Sequence, residues 1–194
     1  MRHWKRVVAV LLVAAVALVV EGWAARAQAA QTLFKNCAYV RTPGESGRPP
    51  YSLAPTLGLV KVTVRTNRGD LVLTLDRSAA PCAVHSFTYL ALKRFYNQTP
   101  CPRHTRAILE CGVGRPGYHF SPELTGHETY PRGTVALSDT PGVGNTSAFV
   151  ILPLDATLPR TSTTIGKLTA GLAVLDRLTA DPDQPARILE VLIG

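Results

Sequence analysis

Hydrophobic and polar residues alternate over residues 60–65, where Val60, Val62 and Val64 are interleaved with Lys61, Thr63 and Arg65. The alternation resumes at Leu71, Leu73 and Leu75. A period of two predicts paired strands with one apolar face, here turned at Asn67-Arg68-Gly69. The period then changes. Pro81 suits a first helical turn, and Val84, Phe87 and Ala91 recur at three- and four-residue spacing, which predicts a helix with a buried stripe up to Arg94. Two short runs, residues 101–105 and 107–111, predict a strand pair folded about Arg106. That fold sets Cys101 opposite Cys111 and Arg103 opposite Leu109, with Arg103 and both cysteines on one face. Further short strands are expected at residues 133–137, 148–152, 163–168 and 187–193. Leu172, Leu175 and Leu178 predict a second helix, ended by Asp181-Pro182-Asp183. Many short strands around two helices predict a mostly β fold, a closed antiparallel barrel with its ends plugged by the helices.

Ahead of this pattern the chain has a different character. Arg2, Lys5 and Arg6 precede an apolar run over residues 7–20, and Ala-Arg-Ala and Ala-Gln-Ala follow it. Residues 1–30 therefore read as an export signal, with an uncleaved N-terminal anchor as the alternative. Residues 31–58 hold Pro43, Gly44, Gly47, Pro49, Pro50 and Pro55 and few large apolar residues, so they read as an extended linker tethered at Cys37. The remaining domain spans residues 59–194. The 194-residue chain carries a formal charge of +8, of which about +5 remains once the leader's share is removed. That excess is spread along the chain with no basic block, which argues against a nucleic-acid partner. Four cysteines in an exported chain favour disulfides, and three connectivities are open to them. The hairpin register favours Cys101–Cys111, which leaves Cys37 with Cys82.

A guanidinium with five fixed donors beside a crosslinked pair marks Arg103 as a candidate for chemistry. Its surroundings strengthen this. The run from Val60 through Gly69 to Asp76, then Ala80-Pro-Cys-Ala-Val-His-Ser-Phe, then Thr99-Pro-Cys-Pro-Arg103, resembles the opening of a cyclophilin-type peptidyl-prolyl isomerase. Gly117-Tyr-His-Phe, Tyr130-Pro-Arg-Gly-Thr-Val-Ala-Leu137, Thr146-Ser-Ala-Phe-Val-Ile151 and Thr164-Ile-Gly-Lys167 follow in that family's order, and the likeness is greatest to its bacterial exported branch. The resemblance implies an eight-stranded barrel capped by two helices, and Arg103 as the catalytic residue.

By the same resemblance the substrate groove is formed by Ala107, Ile108, Glu110, Ser138, Asp139, Ala148, Phe149, Val150, Leu158 and Ser162. Several of these depart from the family's pattern. Ala107 and Val150 stand where phenylalanines are usual, Glu110 and Ala148 where glutamines are, and Ser138 and Asp139 replace alanine and asparagine. Thr157 and Ser162 take the places of a common tryptophan and histidine. Small residues for aromatic ones imply a wider, shallower pocket with less ring burial. Arg103 and Glu110 are expected to pair across the hairpin, with a bulge needed to bring them to one side.

Other chemistries find little support. Gly112-Val-Gly-Arg-Pro-Gly117 fits G-x-G-x-x-G but opens no helix, so a dinucleotide site is not expected. Cys101, His104, Cys111 and His119 suit a disulfide better than a metal, and no cofactor is expected. Ser147 lacks the glycines of a nucleophile elbow. The resemblance implies an exported isomerase of slow turnover, acting on X–Pro bonds and assisting protein folding. Its partners would be proline-containing peptides or exported proteins, with membrane contact only through an uncleaved leader, and the protein would be a monomer. The alternative is a catalytically impaired peptide-binding module on the same barrel.

Overall fold

The structure, a computed structural model, describes residues 33–156, 162–181 and 183–194. The leader expected over residues 1–30 lies outside the described residues, as do Thr157, Leu158 and Pro182. Twelve strands and two helices follow one another among the described residues. Strand β1 is Phe34–Asn36, β2 Val40–Arg41, β3 Leu53–Pro55, β4 Leu59–Thr66 and β5 Gly69–Asp76. Helix α1, Pro81–Leu92, comes next, then β6 Arg103–Thr105, β7 Ile108–Cys111 and β8 Tyr118–His119. The chain ends with β9 Thr134–Thr140, β10 Gly144–Ile151, β11 Thr163–Ala170, α2 Leu172–Ala180 and β12 Ile188–Ile193.

Eight of the strands form one antiparallel sheet in the order β12-β4-β5-β11-β9-β10-β7-β6. Its inner face carries the alternating set of β4 and β5, with Val62, Leu73 and Leu75 fully buried. Phe87 and Leu90 of α1 and Leu175 and Leu178 of α2 complete the same core, while Leu172 of the expected stripe is exposed. The two helices thus fill the concave side of a curved sheet.

The sheet does not close, which corrects the expected barrel: it is an open half-barrel of eight strands. Its outer strands β12 and β6 share no ladder. An isolated bridge, Pro100 to Arg187, joins the segments leading into them. Cys101 N donates to Ala186 O at 2.9 Å and Ile188 N to Thr99 O at 2.9 Å, and the pairing goes no further toward β6. The chain bends at Pro102, just before β6, and leaves the line of β12 there.

Residues 35–58 lie along the sheet's partners and carry short strands of their own. Strand β1 pairs with β3, and β2 with β8 in the register Val40 to His119 and Arg41 to Tyr118. Tyr39 packs edge-on against Tyr118 and Phe120, with ring centroids 5.6 and 5.3 Å apart, and its hydroxyl donates to Cys82 O. The Cys37–Cys82 disulfide fixes this strap to the first turn of α1. No side chain of Ala80 can cap that helix. Glu123 supplies the acceptor from 40 residues away, its Oε2 taking the Ala83 N–H at 2.8 Å while Oε1 pairs with Lys35 at 2.8 Å. A carboxylate at a helix N-terminus satisfies an orphan donor and complements the dipole. Burial, and then the Arg77 charge, hold the His85 imidazole beside Tyr39 below its ordinary pKa.

One glycine is fixed by its setting. Gly112 follows β7 at φ +71°, and a Cβ there would stand 2.7 Å from a Tyr96 ring carbon and 2.9 Å from Ser147 O. Gly112→Ala is expected to cost about 2–4 kcal/mol, from left-handed strain and overpacking together. Urea unfolding measures it, and a loss below about 0.5 kcal/mol would show that the site relaxes freely.

Candidate functional site

The strand pair β6–β7 builds one wall of the site. Its register is Arg103 to Glu110, His104 to Leu109 and Thr105 to Ile108, closed by a two-residue turn at Arg106 and Ala107. This is one residue off the expected register, which placed Arg103 opposite Leu109 with Arg106 at the tip. The consequence is large, because a slip of one moves a side chain to the other face. Arg103 lies on the outer face with Glu110, so no bulge is needed to bring the two together. The cysteines lie on the inner face. The bend at Pro102 breaks the alternation and lets Cys101 turn inward to Cys111, with Cα atoms 4.1 Å apart. The expectation that Arg103 and the cysteines share a face is therefore corrected.

Strand β10 continues the wall. Val150 lies opposite both Glu110 and Ala136, on the outer side, and Phe149 opposite Cys111 and Leu137, on the inner. Phe149 is fully buried against Phe87 and Tyr96, with centroids 5.2 and 5.5 Å away, so it belongs to the core and not to a substrate groove. Val150, Ala136, Leu152 and Tyr130 form a second apolar cluster, against which Ile108 and Ala156 pack. An apolar layer outside the sheet, separate from the core, is what a binding floor requires.

A recess of about 230 Å³ opens over this floor, lined by Arg103, Ile108, Glu110, Ser138, Asp139, Val150 and Ser162. Seven residues singled out in the sequence thus meet at one place. Ala107 is exposed at the hairpin turn and Ala148 is half-buried, and neither lines the recess. Tyr130 was missed as a site residue, although its motif was noted. It lies beneath the recess, and its hydroxyl donates to Ser162 O at 3.0 Å.

The polar groups of the recess are connected. Ser138 Oγ donates to Glu110 Oε1 at 2.9 Å, and Glu110 Oε2 stands 3.4 Å from Arg103 Nε. The carboxylate is held from two sides, and it engages the guanidinium through Nε alone. Among the described residues neither Nη group of Arg103 has a partner. A cation with free, fixed N–H groups above an apolar floor can hold a nonpolar ring and donate a hydrogen bond to an atom beside it. A second recess, at Cys37, Cys82, Phe120 and Glu123, offers less, since its Lys35 and Glu123 already pair with each other.

Comparison with known proteins agrees with this geometry. The family described as cyclophilin type peptidyl-prolyl cis-trans isomerase/CLD matches residues 61–193. The chain is 33% identical over 171 residues to a probable peptidyl-prolyl cis-trans isomerase B of Mycobacterium tuberculosis, an alignment covering 74% of this chain and 56% of that protein. It is 31% identical over 179 residues to the protein of the same name in Mycobacterium leprae, covering 78% and 61%. The chain thus spans little more than half the length of these curated relatives. A cyclophilin type peptidyl-prolyl cis-trans isomerase of Cryptosporidium parvum shares the fold, with a TM-score of 0.60 and 23% identity over 71% of this chain and 98% of that one. With the family matched over most of its length, from β4 through β12, the chain belongs to the cyclophilin-type peptidyl-prolyl cis-trans isomerases.

Proposed function

We propose that the chain is an exported peptidyl-prolyl cis-trans isomerase that turns X–Pro bonds of proteins and so assists their folding, with Arg103 as its catalytic residue and residues 59–194 as its catalytic domain. The observation that carries the reading is the guanidinium of Arg103, held by Glu110 at the rim of an apolar recess. Turning a prolyl bond means crossing a resonance barrier of about 18–20 kcal/mol, and no covalent bond is broken. The site has only to favour the twisted amide over the planar one. In the twisted state the proline nitrogen regains its lone pair and accepts a hydrogen bond, which an Nη group can donate while Ile108 and Val150 hold the ring. A solved structure of the Cryptosporidium parvum protein in the presence of the dipeptide Ala-Pro supports proline as the ligand class. Two disulfides among the described residues support an oxidising compartment and hence export.

The test is the relaxation of a proline tetrapeptide, which takes about tens to hundreds of seconds unaided. Concentration-dependent acceleration is expected, and none would overturn the reading. Export is checked by fractionating cells: the domain should be recovered outside the cytoplasm, and retention of the full chain inside would overturn that part.

Glu110 acts in this reading as a positioning residue. Glu110→Ala frees the guanidinium to point into solvent and is expected to lower kcat about tenfold with a smaller change in KM. Glu110→Gln keeps an acceptor for Nε and should restore much of the loss. Equal kinetics in wild type and Glu110→Ala would remove Glu110 from the mechanism.

A further inference from the structure

We infer that Ser138 is a further positioning residue: its hydroxyl fixes the Glu110 carboxylate, and through it the guanidinium of Arg103, so that the three side chains act as one unit; the inference rests on the isomerase reading above. Arg103 stands on β6, which ends the sheet and pairs there with β7 alone. That ladder is three residue pairs long. Among the described residues the guanidinium is held by Glu110, through one nitrogen. A short edge strand and a single point of attachment leave the direction of the guanidinium to Glu110. A carboxylate offers two acceptor oxygens, and with one donor it can swing about that donor. Ser138 supplies the second, its Oγ donating to Oε1 at 2.9 Å while Oε2 faces Arg103 Nε at 3.4 Å.

The register shows how Ser138 comes to reach Glu110. Leu137 is buried opposite Phe149 and Thr163, so by alternation Ser138 rises from the outer face of β9, as Glu110 does from β7. Strand β10 lies between the two, and the bond passes over it. Two strand spacings are about 10 Å, a gap that a serine and a glutamate close together. Arg103 at the edge is thereby tied to β9, three strands further in. Ser138 is half-buried and the Glu110 side chain 18% exposed, so water competes less for this charge-assisted bond than on open surface. The consequence falls on turnover. With Ser138 truncated, the apolar floor still holds the ring, but Glu110 and Arg103 swing together and the Nη groups meet the twisting amide less often.

The test measures kcat and KM for a proline tetrapeptide in the full chain and in variants at position 138. Ser138→Ala is expected to lower kcat about fivefold while KM changes by less than about twofold. Threonine and valine share a shape and differ in the hydroxyl, so Ser138→Thr should stay within about twofold of wild type and Ser138→Val should fall with alanine. A packing role would move those two variants alike. In a Glu110→Ala background, Ser138→Ala should add less than about 1.5-fold, because the unit is already broken. The free protein gives a second readout. The NMR resonance of the Arg103 Nε–H, identified by its loss in Arg103→Lys, should shift in Ser138→Ala and Ser138→Val and stay in place in Ser138→Thr. Unchanged kcat in Ser138→Ala, equal kinetics for Ser138→Thr and Ser138→Val, or the same loss in the Glu110→Ala background would overturn the inference. Turnover by no protein, wild type included, would instead overturn the isomerase reading. The Nε–H resonance would then decide the positioning on its own, and one unmoved in Ser138→Ala would overturn it.

Discussion

Arg103→Ala is expected to lower kcat/KM for a proline peptide by about 100- to 1,000-fold while the protein remains folded. The magnitude is that of removing one fixed donor aimed at charge that develops only in the transition state. No other cation lines the recess: Glu110 and Asp139 accept and do not donate when ionised, and Ser138 already gives its proton to Glu110. Arg103→Lys should rescue little, because an ammonium on a flexible stem cannot engage Glu110 on one edge and the substrate nitrogen on another. Stability should hardly change. The Arg103 side chain is 54% exposed, and a pair of that kind contributes at most about 1 kcal/mol. Thermal unfolding beside the kinetic assay separates the two effects, and full activity in the alanine variant would remove Arg103 from the chemistry.

The second large effect concerns stability. The Cys37–Cys82 disulfide spans 45 residues and Cys101–Cys111 spans 10. If a crosslink acts mainly by restricting the unfolded chain, the longer loop contributes more, about 4 kcal/mol against about 2.7. Replacing Cys37 and Cys82 together by alanine should therefore lower Tm by about 8–16 °C for a chain of this size. The strap of residues 35–58 would then be held by short pairings such as β2–β8, by the Tyr39 contacts and by the Lys35–Glu123 pair. Neither cysteine lines the Arg103 recess, so the fraction that stays folded should isomerise at the normal rate. An unchanged Tm would show that the strap adds nothing to the fold.

The sequence was most readable where one period ran uninterrupted. Residues 60–65 and 71–75 keep one period on either side of the turn, and both strands, their turn and their buried face stand where the pattern puts them. The stripe of Val84, Phe87 and Ala91 is equally plain, because Pro81 marks its start. Reading failed where proline intervened. Pro102 lies between Cys101 and Arg103 and undoes the rule that every second residue shares a face, so the hairpin register came out one residue off. The bend at Pro102 also takes the chain away from the line of β12, an effect that periodicity does not register. The resemblance puts Phe149 in the groove, whereas its cross-strand partners, Cys111 and Leu137, place it inside. Tyr130 escaped for the converse reason: its motif is legible in the sequence, but it reaches the site by tertiary contact with Ser162. The meeting of seven groove residues in one recess was visible only through resemblance, since β6, β7, β9 and β10 lie far apart in sequence.

The sheet at this point is a partition one residue thick. Val150 and Glu110 look outward while their immediate neighbours Phe149 and Cys111 look inward. The two populations touch different partners, so changes in one add almost independently to changes in the other. A lineage can exchange the outward set, swapping a phenylalanine for valine or an amide for a carboxylate, without disturbing the architecture behind it. The lining of the recess is then free to drift while the scaffold stays put, and an engineer wishing to reshape it has the same freedom at the same positions.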